Sequence, residues 1–177
     1  MYFGFIVPCR GRRKGMNIIM ELNGLSERAK KLIESCGYGK QRFMSEDSLE
    51  ECFAFYDEEG YRVSDTAKDI INDFYNLSIG KHGQFENGQF IITENKDIEN
   101  KMVVYPENIY DAAHLFKQLS DAMKDYIIPL GLINDDFIAI GESGRIYIIA
   151  DDVFIAGESW VDFLNNFSDN FSSLSNK

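Results

Sequence analysis

A chain of 177 residues that is 45% hydrophobic and 14% aromatic has the means to bury one substantial core, which excludes the disordered class. With 29 acids against 18 bases its formal charge is −11, the reverse of the basic face that nucleic-acid binding requires. No run is long and apolar enough to cross a bilayer, and three scattered cysteines offer no disulfide framework, which points to a reducing cytoplasm.

The first stretch differs from the rest. Residues 1–15, "MYFGFIVPCRGRRKG", carry Arg10, Arg12, Arg13 and Lys14 and no acid. Taking those four from the 18 bases leaves 14 against 29 acids, or −15 beyond this leader. Its apolar part precedes its charges, the wrong order for a secretory signal. Residues 1–15 therefore read as a basic leader, disordered or upstream of a true start at Met16, ahead of a domain over 16–167 and a polar tail over 168–177.

Five segments then show helical spacing. In "SERAKKLIESCG", Ser26 is a natural N-cap, Ala29, Leu32, Ile33 and Cys36 form one face, and Gly37 stops the helix. "SEDSLEECFAFYDEEG" repeats the pattern, with Ser45 as cap, Leu49, Cys52, Phe53 and Tyr56 inward, and Gly60 as stop. The third, after Ser64, turns Ala67, Ile70, Ile71 and Phe74 inward. A longer helix is expected after Pro106, with Ile109, Ala112, Ala113, Phe116, Leu119 and Met123 on its apolar face. The last follows Ser159 and clusters Trp160, Val161, Leu164 and Phe167.

Strands are expected at "GQFIIT" (88–93), "KMVVY" (101–105) and "YIIP" (126–129), the last with Pro129 at its end. His82 in "GKHGQF" reads as a loop residue, and His114, in the long helix, has no ligand-spaced partner. "FIAI" and "RIYII" then form a hairpin around "ESG", with Gly144 in the left-handed conformation. Ile138, Ile140, Ile146 and Ile148 share one of its faces, and Phe137, Ala139, Tyr147 and Ile149 the other. Both are apolar, so the hairpin belongs inside a sheet covered on both sides. "ADD" (150–152) makes the next turn and "VFIA" returns. The order of elements predicts an α+β fold, a largely antiparallel sheet with helices, in a single domain.

Gly-Glu-Ser occurs at 141–143 and again at 157–159, one turn joining two strands and the other joining a strand to a helix. Neither is a nucleophile elbow, because Arg145 and Val161 stand where the second small residue belongs and no histidine follows His114. No phosphate loop, calcium loop or metal-ligand spacing is present, so no cofactor, metal or catalytic residue is expected. The acids are the candidates. Asp57, Glu58 and Glu59 crowd the negative end of the second helix, where each costs a few tenths of a kcal/mol, by order of magnitude. Asp135, Asp136, Asp151 and Asp152 sit at loops around the strands, where turn formation is their competing role. Such a surface is either that of a soluble acidic protein or one matched to a basic partner.

Three stretches together carry a resemblance: "AKKLIESCGYGKQR", "FAFYDEEGYRVSDTAKDIINDFYNLSI" and "FIAIGESGRIYIIADDVFIAGESWVDFLNNF". In order and spacing, over about residues 25–167, they resemble the SUKH superfamily of bacterial immunity proteins, most closely its third subfamily. One departure is that Tyr75-Asn76-Leu77 stands where the family often has Gly-Gly-Leu; the basic leader is another. The resemblance implies a twisted sheet with helices packed around it and no catalysis. It also implies an antitoxin of a polymorphic toxin system, binding a cognate toxin domain in the cytoplasm; many such toxins are nucleases. It carries no binding residue over. The competing reading is an adaptor or regulatory protein-binding module of the same fold, and a weaker one is an enzyme built on carboxylates.

The break in composition at Met16 predicts that a chain beginning there melts at the same temperature as the full chain. A large drop in melting temperature would show that the leader packs.

Overall fold

The computed structural model describes residues 20, 22–39, 46–86, 89–94, 102–109 and 111–169. The leader, the expected cap Ser45 and the segment after Asp169 lie outside the described residues. Three helices start where a side-chain oxygen takes up a free N–H. Ser26 Oγ accepts from Ala29 N at 3.1 Å to open α1 (Glu27–Ser35). After α2 (Glu46–Glu58), Ser64 Oγ accepts from Ala67 N at 3.2 Å to open α3 (Asp65–Phe74). α4 (Ala113–Met123) has no side-chain cap, and α5 (Trp160–Ser168) opens on Ser159, which accepts from Asp162 N at 3.2 Å. α1 and α2 end at Gly37 and Gly60 as expected, and the next N–H folds back in each: Tyr38 to Ile33 O and Tyr61 to Tyr56 O.

The strands are β1 (Ser78–Ile79), β2 (Lys81–Glu86), β3 (Gln89–Glu94), β4 (Met102–Val104), β5 (Ile127–Ile133), β6 (Asp136–Gly141), β7 (Ile146–Ile149) and β8 (Val153–Gly157). Six form an open sheet in the order β1-β4-β5-β6-β7-β8, with every neighbouring pair antiparallel. β2 and β3 form a separate hairpin. This is the expected α+β architecture.

Three local expectations are corrected. The long fourth helix is broken: Pro106–Asn108 is a 3-10 turn, Asp111 takes a left-handed φ of 58°, and α4 starts only at Ala113. The apolar spacing runs across the break because Ile109 is buried from the turn, not from the helix. β5 does not end at Pro129. Its ladder shifts register between Pro129 and Gly131, so the residue without an N–H falls where pairing is irregular. His82 is not in a loop but in β2, opposite Thr93; backbone pairing defines that strand in spite of Gly83.

The sheet separates two cores. On one face Ile138, Ile140, Ile146 and Ile148 pack with the apolar sides of α1, α2, α3 and α5. On the other, Ala139, Tyr147 and Ile149 pack with Ile109 and Phe116, flanked by Leu119, Met123 and Phe137. Tyr61 touches both clusters, edge-on to Tyr56 at 6.0 Å and to Phe116 at 6.2 Å. The first and last helices are joined by Asn165, whose Oδ1 accepts from Ser26 N at 2.8 Å while its Nδ2 donates to Gly24 O at 3.1 Å.

Ile148 is 6% exposed inside this sandwich. Ile148→Asp buries a carboxylate with no partner of opposite charge, at a cost of several kcal/mol. The variant is expected to unfold or aggregate. A soluble protein with an unchanged melting temperature would show that the hairpin is not central to stability.

Candidate functional site

The antiparallel order brings the β5–β6 and β7–β8 turns to the same end of the sheet. Asp135 and the pair Asp151 and Asp152 are exposed there, and Asp136, the first residue of β6, is half-buried. The Asp136 carboxyl is raised above its ordinary value, by partial burial first and then by the charges of Asp135 and Asp151. The two turns therefore share one negative field. Asn134 makes the first turn with a left-handed φ of 53°, and Ala150 N donates to Asp152 O in the second.

Asp57, Glu58 and Glu59 are elsewhere. The last turn of α2 holds Asp57 and Glu58 with no base, as the sequence implied. The chain then reaches Arg62, whose N–H donates to the Tyr126 hydroxyl at 3.0 Å and whose guanidinium lies 4.5 Å from that ring's centre. Tyr126 precedes β5, so the three acids border the opposite end of the sheet from the four aspartates. A seven-residue strand separates the two groups, on the order of 20 Å. They do not form one patch.

A cleft of about 100 Å³ opens beside Arg62 and Tyr126, lined also by Ser64, Ile140, Gly141 and Glu142. Asp125, which the sequence did not single out, organises this rim. Its carboxylate accepts from Ser143 N at 3.0 Å, from the Ser143 hydroxyl and from the Tyr147 hydroxyl at 2.8 Å. Burial works against its charged form, but these hydrogen bonds, helped by the charge of Arg145, hold the carboxyl below its ordinary value. A Cβ on Gly141 would lie 1.9 Å from Asp125 Oδ2, so the first Gly-Glu-Ser is glycine-led to admit this carboxylate. In the second, a Cβ on Gly157 would meet Phe163 N at 2.5 Å, so that glycine lets α5 approach the sheet. The two turns also touch: Arg145 Nε donates to Glu158 Oε2 at 2.8 Å. Both serines are engaged, Ser143 in holding the Asp125 turn and Ser159 in capping α5.

Among the described residues one carboxylate is buried. Glu107, in the 3-10 turn, accepts from the Tyr75 hydroxyl, and its Oε2 has no hydrogen-bond partner among the described residues. Burial first, then this carboxylate, holds the Tyr75 phenol far above its ordinary value. Cys52 lies close by with its thiol pushed up by the same two causes, consistent with core packing. Among the described residues no group of three or more His, Cys, Asp or Glu is placed to hold a metal ion, and no helix is long and apolar enough to cross a membrane.

The geometry is that of a sheet flanked by helices, with a hairpin reading "GRIYI" that passes through "GES" into the last helix. A family model described as SUKH-3 immunity protein matches residues 25–169, from the residue before the α1 cap to the residue after α5. The chain belongs to the SUKH-3 family. Comparison with curated proteins and with solved structures finds no match. Membership makes this an immunity protein and implies a cognate toxin protein as its partner. The departure from the SUKH-3 pattern at Tyr75-Asn76-Leu77 is absorbed locally. Asn76 takes a φ of 56°, and Leu77 N donates to Phe74 O at 2.9 Å, so an asparagine makes the tight turn a glycine would make.

Removing the Asp125 charge tests this rim. A lowered carboxyl contributes stability above its unfolded value and loses it as pH falls through its folded value. Asp125→Asn is expected to cost about 1–2 kcal/mol at neutral pH through weakened hydrogen bonds, with the gap to wild type closing in acid. Denaturant unfolding at several pH values reads this out, and a pH-independent gap would contradict it.

Proposed function

We propose that this SUKH-3 protein is a non-catalytic antitoxin that works by stoichiometric capture of a basic toxin domain in the cytoplasm. A nuclease is the toxin class that its charge fits best. Family membership supports immunity, and the acidic balance supports the sign of the partner: 29 acids against 18 bases over the chain. Long-range attraction speeds encounter more than it adds affinity, which suits an antitoxin that must reach its toxin first. Direct contact with nucleic acid or membrane is no part of this reading.

The acids gathered at the strand turns and at the end of α2 supply the field. Asp135, Asp136, Asp151 and Asp152 form the denser group, while Asp57, Glu58 and Glu59 remain at the helix end at some cost to stability. Acids kept where they destabilise support a role beyond folding.

The measurement is the association rate with a cognate toxin domain as a function of ionic strength. Glu58→Gln with Glu59→Gln is expected to leave the melting temperature unchanged or slightly higher. At low salt it should slow association several-fold and flatten the salt dependence, by order of magnitude. Asp151→Asn with Asp152→Asn is compared in the same way. Rates equal to wild type at low salt would remove that group from the encounter face. A salt-independent wild type would overturn the electrostatic reading altogether.

A further inference from the structure

β8 is one edge of the six-stranded sheet, and its antiparallel pairing to β7 turns alternate N–H and C=O groups outward. The other edge, β1, is only two residues long, with Ile79 buried. Soluble proteins blunt long edges with charge, proline or cover. β8 does the opposite, since Phe154 and Ile155 stand 42% and 47% exposed, the exposed large apolar side chains among the described residues. Register sets Phe154 beside Ile148, on the four-helix face, and Ile155 beside Tyr147, on the α4 face. One apolar side chain therefore projects at the edge of each layer, beyond the cover of either. Further along, Ala156 O is taken by Asn166 Nδ2 at 3.0 Å, so Val153–Ile155 is the open stretch.

We propose that the β8 edge is a docking strand for the toxin domain, taking an extended segment whose apolar side chains are flanked by Lys or Arg. This rests on the immunity reading above. The flanking charges decide the occupant. Asp151 and Asp152 precede the open stretch and Glu158 follows it, with Arg145 paired to Glu158 at 2.8 Å. A second copy paired two-fold between Phe154 and Ile155 would bring Asp152 opposite Gly157 and Asp151 opposite Glu158 of its mate, an acid facing an acid. A strand with basic ends meets opposite charge at its Asp151–Asp152 end and adds contact to Phe154 and Ile155 on both faces.

Two measurements test it. The first titrates a synthetic peptide, Lys-Lys-Val-Thr-Ile-Lys-Lys with blocked ends, into the full chain and follows backbone amide signals. Changes centred on Val153–Ile155, lost with a Glu-flanked peptide and with Ile155→Lys, are expected. No change at β8, or equal response to the Glu-flanked peptide, overturns the proposal. So does concentration-dependent dimerisation abolished by Ile155→Lys, which would give the edge to a second copy. Binding that appears only when residues 170–177 are removed would give it to the chain's own end. The second measurement compares the toxin domain's affinity for wild type and for Phe154→Lys with Ile155→Lys. Both side chains are exposed, so folding is expected to survive, as melting would verify. A loss of at least tenfold is expected, and unchanged affinity overturns the docking site while leaving immunity intact. A toxin domain that fails to bind wild type refutes the immunity reading, and the peptide still decides the edge.

Discussion

The β6–β7 hairpin has no face that water can solvate. Four isoleucines occupy one side, and Ala139, Tyr147 and Ile149 the other. Each strand must therefore be flanked by neighbours and each face covered by helices, since large apolar side chains gain about 1.5–3 kcal/mol each by leaving water. Most of the fold follows from that requirement. α1, α2, α3 and α5 carry one-sided apolar stripes and cover the first face, where Phe74 meets Trp160 edge-on at 5.1 Å. Among the described residues α4 is the helix that covers the second, assisted by Ile109 from the 3-10 turn and by Tyr61, which spans the two cores.

Cover is uneven, and the unevenness leaves surface for function. On its face of the sheet α4 packs near β5 and β6 and leaves Ile155 at the sheet margin exposed. At the strand ends the chain turns on acids, because Asn and Asp form tight turns readily and remain solvated. The result is a protein whose apolar edge and negative turns lie close together at β8. Affinity and encounter rate draw on different physics, apolar contact for the first and charge for the second.

The repeated Gly-Glu-Ser shows how little three letters specify. In the first copy the glycine admits the Asp125 carboxylate and the serine binds it; in the second the glycine admits α5 and the serine caps it. The glutamates differ too. Glu142 lines the cleft, while Glu158 holds Arg145 from the turn region of the first copy. A motif search sees identity where the chemistry is divergent.

Local chemistry alone determined the helix caps at Ser26, Ser64 and Ser159, the stops at Gly37 and Gly60, and the two-faced hairpin, since each depends on residues near one another in the chain. Order and spacing of those elements were enough to make the family legible before any fold was known. Tertiary structure decided what depends on distant partners. Pro129 continues a strand because the ladder shifts beside it and Tyr56, 73 residues earlier, donates to its carbonyl. The helix expected after Pro106 breaks where Asp111 turns left-handed, a change the unbroken apolar spacing concealed. Of the candidate acids, sequence supplied the list, but only strand order could gather Asp135, Asp136, Asp151 and Asp152 at one end and leave Asp57, Glu58 and Glu59 at the other. The return strand "VFIA" is apolar throughout, and consecutive apolar residues look alike at a sheet's centre and at its margin. Phe154 and Ile155 are exposed because β8 came last in the sheet, and nothing among the described residues pairs beyond it.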